Sequence, residues 1–338
     1  MENIEIVFII GLYTIILNFV FSKIEFLRDR KEISNHKTFI NLSSRPPFSG
    51  GIIFLLTIII FFSRNNFDYS LLFILFFFVG FLSDTNILKS PNFRFILQIF
   101  FLIFFIITLN IFIESIRLEF FDSLLKNIYF KVFFSTFCIL ILVNGTNFID
   151  GLNTLVIGYY ILVLLFVGVV LRDFSYNFFD TNEFVILLSV LIFLLILNFF
   201  EYLYLGDGGA YLISVFFGIY LINIYSDNNT ISPYYIMNLL WYPAYENLFS
   251  IIRKITFKYS AFKPDNLHLH QIIYSRLKDK LNNKKYLNTF TGIIINLFNL
   301  SIFYFATTDY TNTKFQLIIT LSALIVYNTL YFLLKKKL

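Results

Sequence analysis

The sequence predicts an all-α fold: a polytopic transmembrane helix bundle of about eleven spans (ten is the alternative count), with its active-site loops on the cytoplasmic side. Three observations predict it. The 338 residues are 58% hydrophobic and only 14% charged, with a mean hydropathy of +0.76. A water-soluble domain needs more polar surface than that. Apolar runs recur along the chain at lengths near the ~20 residues a helix needs to cross a bilayer. The basic residues are segregated between alternate connecting segments.

The runs fall near 4–22, 48–63, 69–83, 95–113, 129–143, 154–171, 184–200, 210–226, 234–252, 288–306 and 315–334. Backbone amides in lipid must pair within their own segment, so each run is expected to be helical. The first run follows Glu2 and Glu5 without a basic region before it, so it reads as a retained span and not as a cleaved signal. No repeat or linker divides the chain, and residues 1–338 are expected to form a single integral membrane domain. The only cysteine is Cys138, which excludes a disulfide within the chain.

Lys and Arg set the expected orientation. With Met1 outside, the cytoplasmic segments 23–47, 84–94, 144–153, 201–209, 253–287 and the tail from 335 carry 20 of the 26 basic residues. The C-terminus is then cytoplasmic. The net charge of +5 is accounted for by this asymmetry and does not call for nucleic acid as a partner.

The cytoplasmic segments carry the chemistry. The first ends in Arg45-Pro46-Pro47-Phe48-Ser49-Gly50-Gly51, where a stiff approach meets two glycines that allow a ligand or a neighbouring helix to come close. In the second, Asp84 ends an apolar span, a costly place for an acid. Ser90-Pro91 reads as the N-cap and first residue of the next helix, on which Arg94 and Gln98 share a face. Lys89 and Arg94 are candidate phosphate contacts.

The third segment holds Asn144, Asn147, Asp150 and Asn153; if helical, the first three recur at i, i+3 and i+6 along one face. In the fourth, Asp207 stands between Gly206 and Gly208-Gly209 and reads either as a helix N-cap or as a hard oxygen ligand for Mg²⁺. A helix N-terminus there would offer amides to an anion. The fifth holds His268 and His270, two of only three histidines, in Pro264-Asp265-Asn266-Leu267-His268-Leu269-His270. Too few ligands accompany them for a structural zinc site; contacts to phosphate fit better. Inside the ninth run, Pro243 is expected to kink or break the helix, and Glu246 to form an ion pair with Arg253.

Singly these motifs are weak. In order, each at a cytoplasmic helix end, they resemble the polyprenyl-phosphate N-acetylhexosamine-1-phosphate transferases, the MraY/WecA group of glycosyltransferase family 4. The likeness runs from about residue 36 to 275 and rests on Pro47–Gly51, Gly80–Asp84 with Arg94 and Gln98, Asn144-x-x-Asn147-x-x-Asp150-Gly151, Gly206-Asp207-x-Gly209 and His268-x-His270. It departs where many members carry Asp-Asp and this chain has Ser83-Asp84, where many read Asp-Gly-x-Asp-Gly and this chain has Asp150-Gly151-Leu152-Asn153-Thr154, and at Glu246, commonly Asp.

The resemblance implies transfer of an N-acetylhexosamine-1-phosphate from a UDP-sugar to polyprenyl (undecaprenyl) phosphate, giving polyprenyl-diphospho-sugar and UMP. It implies Mg²⁺, with Mn²⁺ as a substitute, held by Asp207 and Asp150. Asp84, Asp150 and Asp207 are the catalytic carboxylates, and Asn144, Asn147, Asn153, His268, His270, Lys89 and Arg94 bind substrate. The pathway implied is the start of surface-polysaccharide, O-antigen or wall-polymer synthesis at the inner (plasma) membrane, and a homodimer is left open. Two other readings stand beside it: a transporter or lipid flippase, and an inactive homologue serving as a scaffold.

Overall fold

The computed structural model describes residues 3–28, 46–62, 67–172, 181–256, 267–281 and 286–335. Arg45 and Pro264-Asp265-Asn266 lie outside them. Among the described residues the fold is all-helical, as the hydropathy predicts. The helices formed by the apolar runs are α1 (Asn3–Ser22), α2 (Ser49–Phe62), α3 (Phe67–Asp84), α4 (Pro91–Thr108), α6 (Ile128–Ile149), α7 (Leu155–Leu171), α8 (Thr181–Phe199), α9 (Gly206–Asp227), α13 (Leu287–Thr308) and α14 (Thr313–Lys335). Among the described residues seven helices are long and apolar enough to cross a membrane, so the protein is a multi-pass membrane protein.

The structure differs from the sequence reading in three places. The ninth run is two helices, α10 (Pro233–Leu239) and α11 (Trp241–Thr256). The break falls at Leu240, and Pro243 sits in the first turn of α11, where its missing amide costs nothing. Two helices lie outside the apolar runs. These are the short α5 (Glu119–Leu125) and the amphipathic α12 (Leu269–Leu281). The third segment is not a loop until Asp150, because α6 continues through Ile149 and carries Asn144 and Asn147 on its last turns.

Ser90 caps α4 as expected, its hydroxyl accepting from the Phe93 amide with Pro91 next. Asn127 does the same for α6, accepting from Tyr129 and Phe130.

The centre of the bundle is α9, which packs against α2, α3 and α6 and is buried almost all round. Small residues set those distances, as in other membrane bundles where close backbone approach replaces the hydrophobic drive. A Cβ on Gly51 would stand 2.6 Å from the Gly209 Cα, and one on Gly80 2.5 Å from the Asp207 carbonyl oxygen. The glycines after Pro47 therefore serve a neighbouring helix. The Gly50 and Gly51 amides donate to the carbonyls of Tyr204 and Leu205 just before α9. On the other flank α6 meets α11, where a Cβ on Gly145 would fall 1.9 Å from the Pro243 carbonyl oxygen and Asn247 donates to the Ile141 carbonyl.

Candidate functional site

Four helix ends converge: the C-termini of α3 and α6 and the N-termini of α4 and α9. The N-terminus of α9 needs partners for its first amides. They come from Asp84, at the end of α3. Its Oδ1 accepts from the Asp207 amide at 3.0 Å and its Oδ2 from the Gly208 amide at 3.1 Å. Gly206 turns the chain into α9 at φ +77°, and a Cβ there would lie 2.7 Å from Asp84 Oδ2, so the position takes glycine on both counts. Asp207 is thus not the cap of its own helix, and its carboxylate is turned to other partners.

Those partners are three donors from three helices. Arg94 Nη1 of α4 lies 3.0 Å from Asp207 Oδ2, Ser83 Oγ of α3 donates to the same oxygen at 2.8 Å, and Asn147 Nδ2 of α6 donates to Oδ1 at 2.8 Å. Arg94 also donates to Ser83. Arg94 and Asp207 remain about one-fifth exposed, so the cluster is open to solvent at the bundle end. One turn deeper, Gln98 of α4 accepts from Asn144 Nδ2 at 3.0 Å and ties α4 to α6. Of the expected residues, Asp84, Arg94, Asn147 and Asp207 form one bonded unit, and Asn144 braces it.

Asp150 caps α6 and is half-buried beside Gly151. A Cβ on Gly151 would stand 3.3 Å from His270 Nε2, which brings the start of α12 against this turn. Asn153 is buried, and its backbone amide donates to Asn288 Oδ1 of α13 at 2.6 Å. Lys89 is exposed on the α3–α4 turn, with no bond to the cluster among the described residues.

The histidines are held from below. Glu246, 1% exposed, accepts from the Leu269 amide at 3.0 Å on Oε1 and meets His268 Nδ1 at 3.0 Å on Oε2. The expected pairing with Arg253 is not formed; the acid instead supplies the first turn of α12 with its acceptor. His268 lies against Phe148 of α6, ring centroids 5.1 Å apart, which places it next to Asn147 and Asp150. His270, fully buried, stacks behind His268. Burial holds its pKa below the ordinary histidine value, and the nearby Glu246 opposes the shift without reversing it.

The arrangement can do specific chemistry. Amides at a helix start, a guanidinium and a carboxylate, at the end of a membrane bundle, suit a phosphorylated group carried at a lipid surface. Among the described residues no three His, Cys, Asp or Glu side chains gather into a metal cage. Mg²⁺ seldom uses one; it takes one or two carboxylates and completes its shell with water and substrate phosphate. Asp207 is a partly exposed carboxylate of the kind such an ion uses.

The sequence reading passed over two of these relationships. Ser83 was noted only for the acid it replaces, and nothing local to Glu246 announces His268, 22 residues away.

A multi-pass helical bundle with this polar cluster at one end is the class of protein the fold and site define. The family model of glycosyl transferase family 4 matches residues 66–225, from α3 to α9, a little under half of the chain, and supports the likeness to that family. The match contains Asp84, Arg94, Asn144, Asn147, Asp150 and Asp207, and ends before Glu246 and the histidines. At the family level the match supports a transferase of phospho-sugar to a lipid carrier. No curated protein matches the chain.

Proposed function

We propose that the protein transfers an N-acetylhexosamine-1-phosphate from a UDP-sugar to polyprenyl phosphate, most simply undecaprenyl phosphate. The products are polyprenyl-diphospho-sugar and UMP, and the reaction would begin a surface polysaccharide or wall polymer. The observation that carries the reading is the Asp207 cluster: one carboxylate, bound by Arg94, Ser83 and Asn147, at the amide-rich start of a helix buried in a membrane bundle. We place this end of the bundle on the cytoplasmic side of the plasma membrane, supported by the 20 basic residues of the segments assigned there.

An oxygen of the lipid phosphate attacks the sugar-bearing β-phosphorus; the bond from that phosphorus to the bridging oxygen breaks, and UMP leaves with the bridging oxygen. Such a transfer needs positioning and charge neutralisation more than covalent chemistry. In this reading Arg94 supplies a cation at the phosphate site, and Asn144, Asn147 and Asn153 are assigned to nucleotide or sugar, with Asn147 the one bonded to the cluster. A phosphate monoester, with a second pKa of about 6, is already mostly dianionic at neutral pH, so no strong base is needed. Asp84 therefore orients the site by fixing the start of α9. Mg²⁺, or Mn²⁺ in its place, would be held by Asp207 and Asp150 and would neutralise diphosphate charge. His268 and His270 border the Asp150 turn, with His268 the nearer to Asn147.

The transporter reading expects its acids and broken helices at mid-depth; here the three-donor cluster stands at helix ends. The test is to incubate membranes holding the protein with radiolabelled UDP-N-acetylhexosamines and polyprenyl phosphate. Labelled lipid and UMP are expected, and both should be lost in Asp207→Asn. Absence of product with every UDP-sugar overturns the enzyme reading in favour of a scaffold.

A further inference from the structure

Glu246 lies outside the segment matched by the family model and touches none of the cluster around Asp207. It is nevertheless buried and ionisable inside an apolar bundle, which is costly unless its oxygens are fully engaged. Tyr242 of α11 and Tyr327 of α14 stand beside it. Both of its oxygens also meet the beginning of α12. One accepts from the Leu269 amide; the other meets His268 Nδ1; His270 Nδ1 stands 3.9 Å from the first.

These contacts fix the chemistry of His268. A carboxylate can only accept, so Nδ1 of His268 must carry the proton facing it. The ring is thereby set in one orientation, with Nε2 turned away from Glu246. Phe148 of α6 packs at a tilt against the ring. We infer that Glu246 is a positioning residue. Through its bonds to His268 and Leu269 it orients His268, with Nδ1 protonated, beside the site bounded by Asn147 and Asp150.

The inference rests on the proposed transferase reading for its kinetic consequence but not for its structural one, and the two are separable. The protein has three histidines, so uniform ¹⁵N-histidine labelling in lipid nanodiscs yields few ring signals, and His268→Gln assigns one of them. The expected result is a wild-type His268 protonated at Nδ1. In Glu246→Gln the amide places a donor against Nδ1, or loses the Leu269 bond if it flips, and the tautomer signature changes. The kcat for lipid-linked product is expected to fall about 10- to 100-fold, the range for loss of a group that orients a ligand, while the KM for UDP-sugar stays within about twofold. Glu246→Asp, which keeps the carboxylate, should recover the signature and part of the kcat.

A wild-type His268 without a proton on Nδ1 overturns the inference whatever the variants do, so a Glu246→Gln that fails to fold does not protect it. An unchanged kcat in a folded Glu246→Gln also overturns it. If the wild type shows the expected tautomer and yet no UDP-sugar is turned over, the transferase reading fails and the orientation of His268 by Glu246 stands.

Discussion

Asp84 and Asp207 are joined through backbone: the Asp207 amide donates to the Asp84 carboxylate at 3.0 Å, while the Asp207 side chain faces the other way, to Arg94. One acid builds the start of α9 and the other is displayed by it. Two carboxylates of one site therefore have different work, and substitution should separate them.

At Asp84 the expected effect is first on stability. Asp84→Ala removes the acceptor for two α9 amides and should cost about 1–2 kcal/mol, the usual worth of a lost cap, whereas Asp84→Asn keeps an acceptor and should cost a few tenths. Thermal melting of the purified protein in detergent measures both. Equal losses in the two variants would show that the bonds from Asp207 and Gly208 contribute nothing to stability.

Around Asp207 the three donors are not equal. Ser83→Ala deletes a hydrogen bond from a neutral donor to the Asp207 carboxylate and leaves the ion pair with Arg94 in place, so activity should fall by about tenfold at most. Arg94→Gln deletes a charge-assisted one, worth about 1.5–3 kcal/mol, for a fall of about 10- to 150-fold. Initial rates of UMP release give the comparison, and a larger effect at Ser83 would reverse the ranking.

The cation requirement can be read directly. Washing the purified protein with EDTA should stop UMP release, and Mg²⁺ or Mn²⁺ should restore it. Asp207→Asn should raise the Mg²⁺ concentration needed for half-maximal rate by at least about tenfold, as expected when one of only one or two protein ligands is lost. Full activity in EDTA would remove Asp207 and Asp150 from the role of ligands.

Packing makes a separate prediction. Gly145→Ala sets a methyl group 1.9 Å from the Pro243 carbonyl oxygen, and the contact is backbone, which cannot rotate away. Overpacking of this kind costs about 1–3 kcal/mol. A lower melting temperature is expected, and an unchanged one would mean that α6 and α11 separate freely.

His270 gives a pH dependence whose sign follows from burial. Its folded pKa lies below the ordinary value of about 6.5. Above that pH the ring is neutral in both folded and unfolded chains. Below it the unfolded chain takes up a proton that the buried ring refuses, so stability falls as the pH drops from about 6.5 towards the folded pKa and then levels off. Melting temperatures between about pH 7.5 and 5.5 should show this decline, and His270→Asn should flatten it (those pH limits are about one unit either side of the ordinary histidine value).

Much of this molecule was legible in its sequence. The helical class, the multi-pass character and the polar helix ends follow from run length and hydropathy, which are local properties that the bilayer enforces on each segment separately. Ser90-Pro91 and the shared face of Arg94 and Gln98 were equally legible, because a cap and an i, i+4 pair are settled within one helix. A break in the ninth run was legible from Pro243, but not its place at Leu240, and the amphipathic α12 was not legible, since it leaves no long apolar signature.

The sequence by itself therefore determined that this is a helical membrane protein and which polar residues are available at its helix ends. Only the tertiary structure decided who meets whom. Ser83 reaches Asp207 across 124 residues, Asn147 reaches it across 60, and Glu246 finds His268 and not Arg253 on its own helix. The reason is physical: a buried carboxylate takes whichever donors the packing of neighbouring helices brings within about 3 Å. That packing is set by close approaches such as Gly80 on Asp207 and Gly145 on Pro243, which no single segment of the chain encodes.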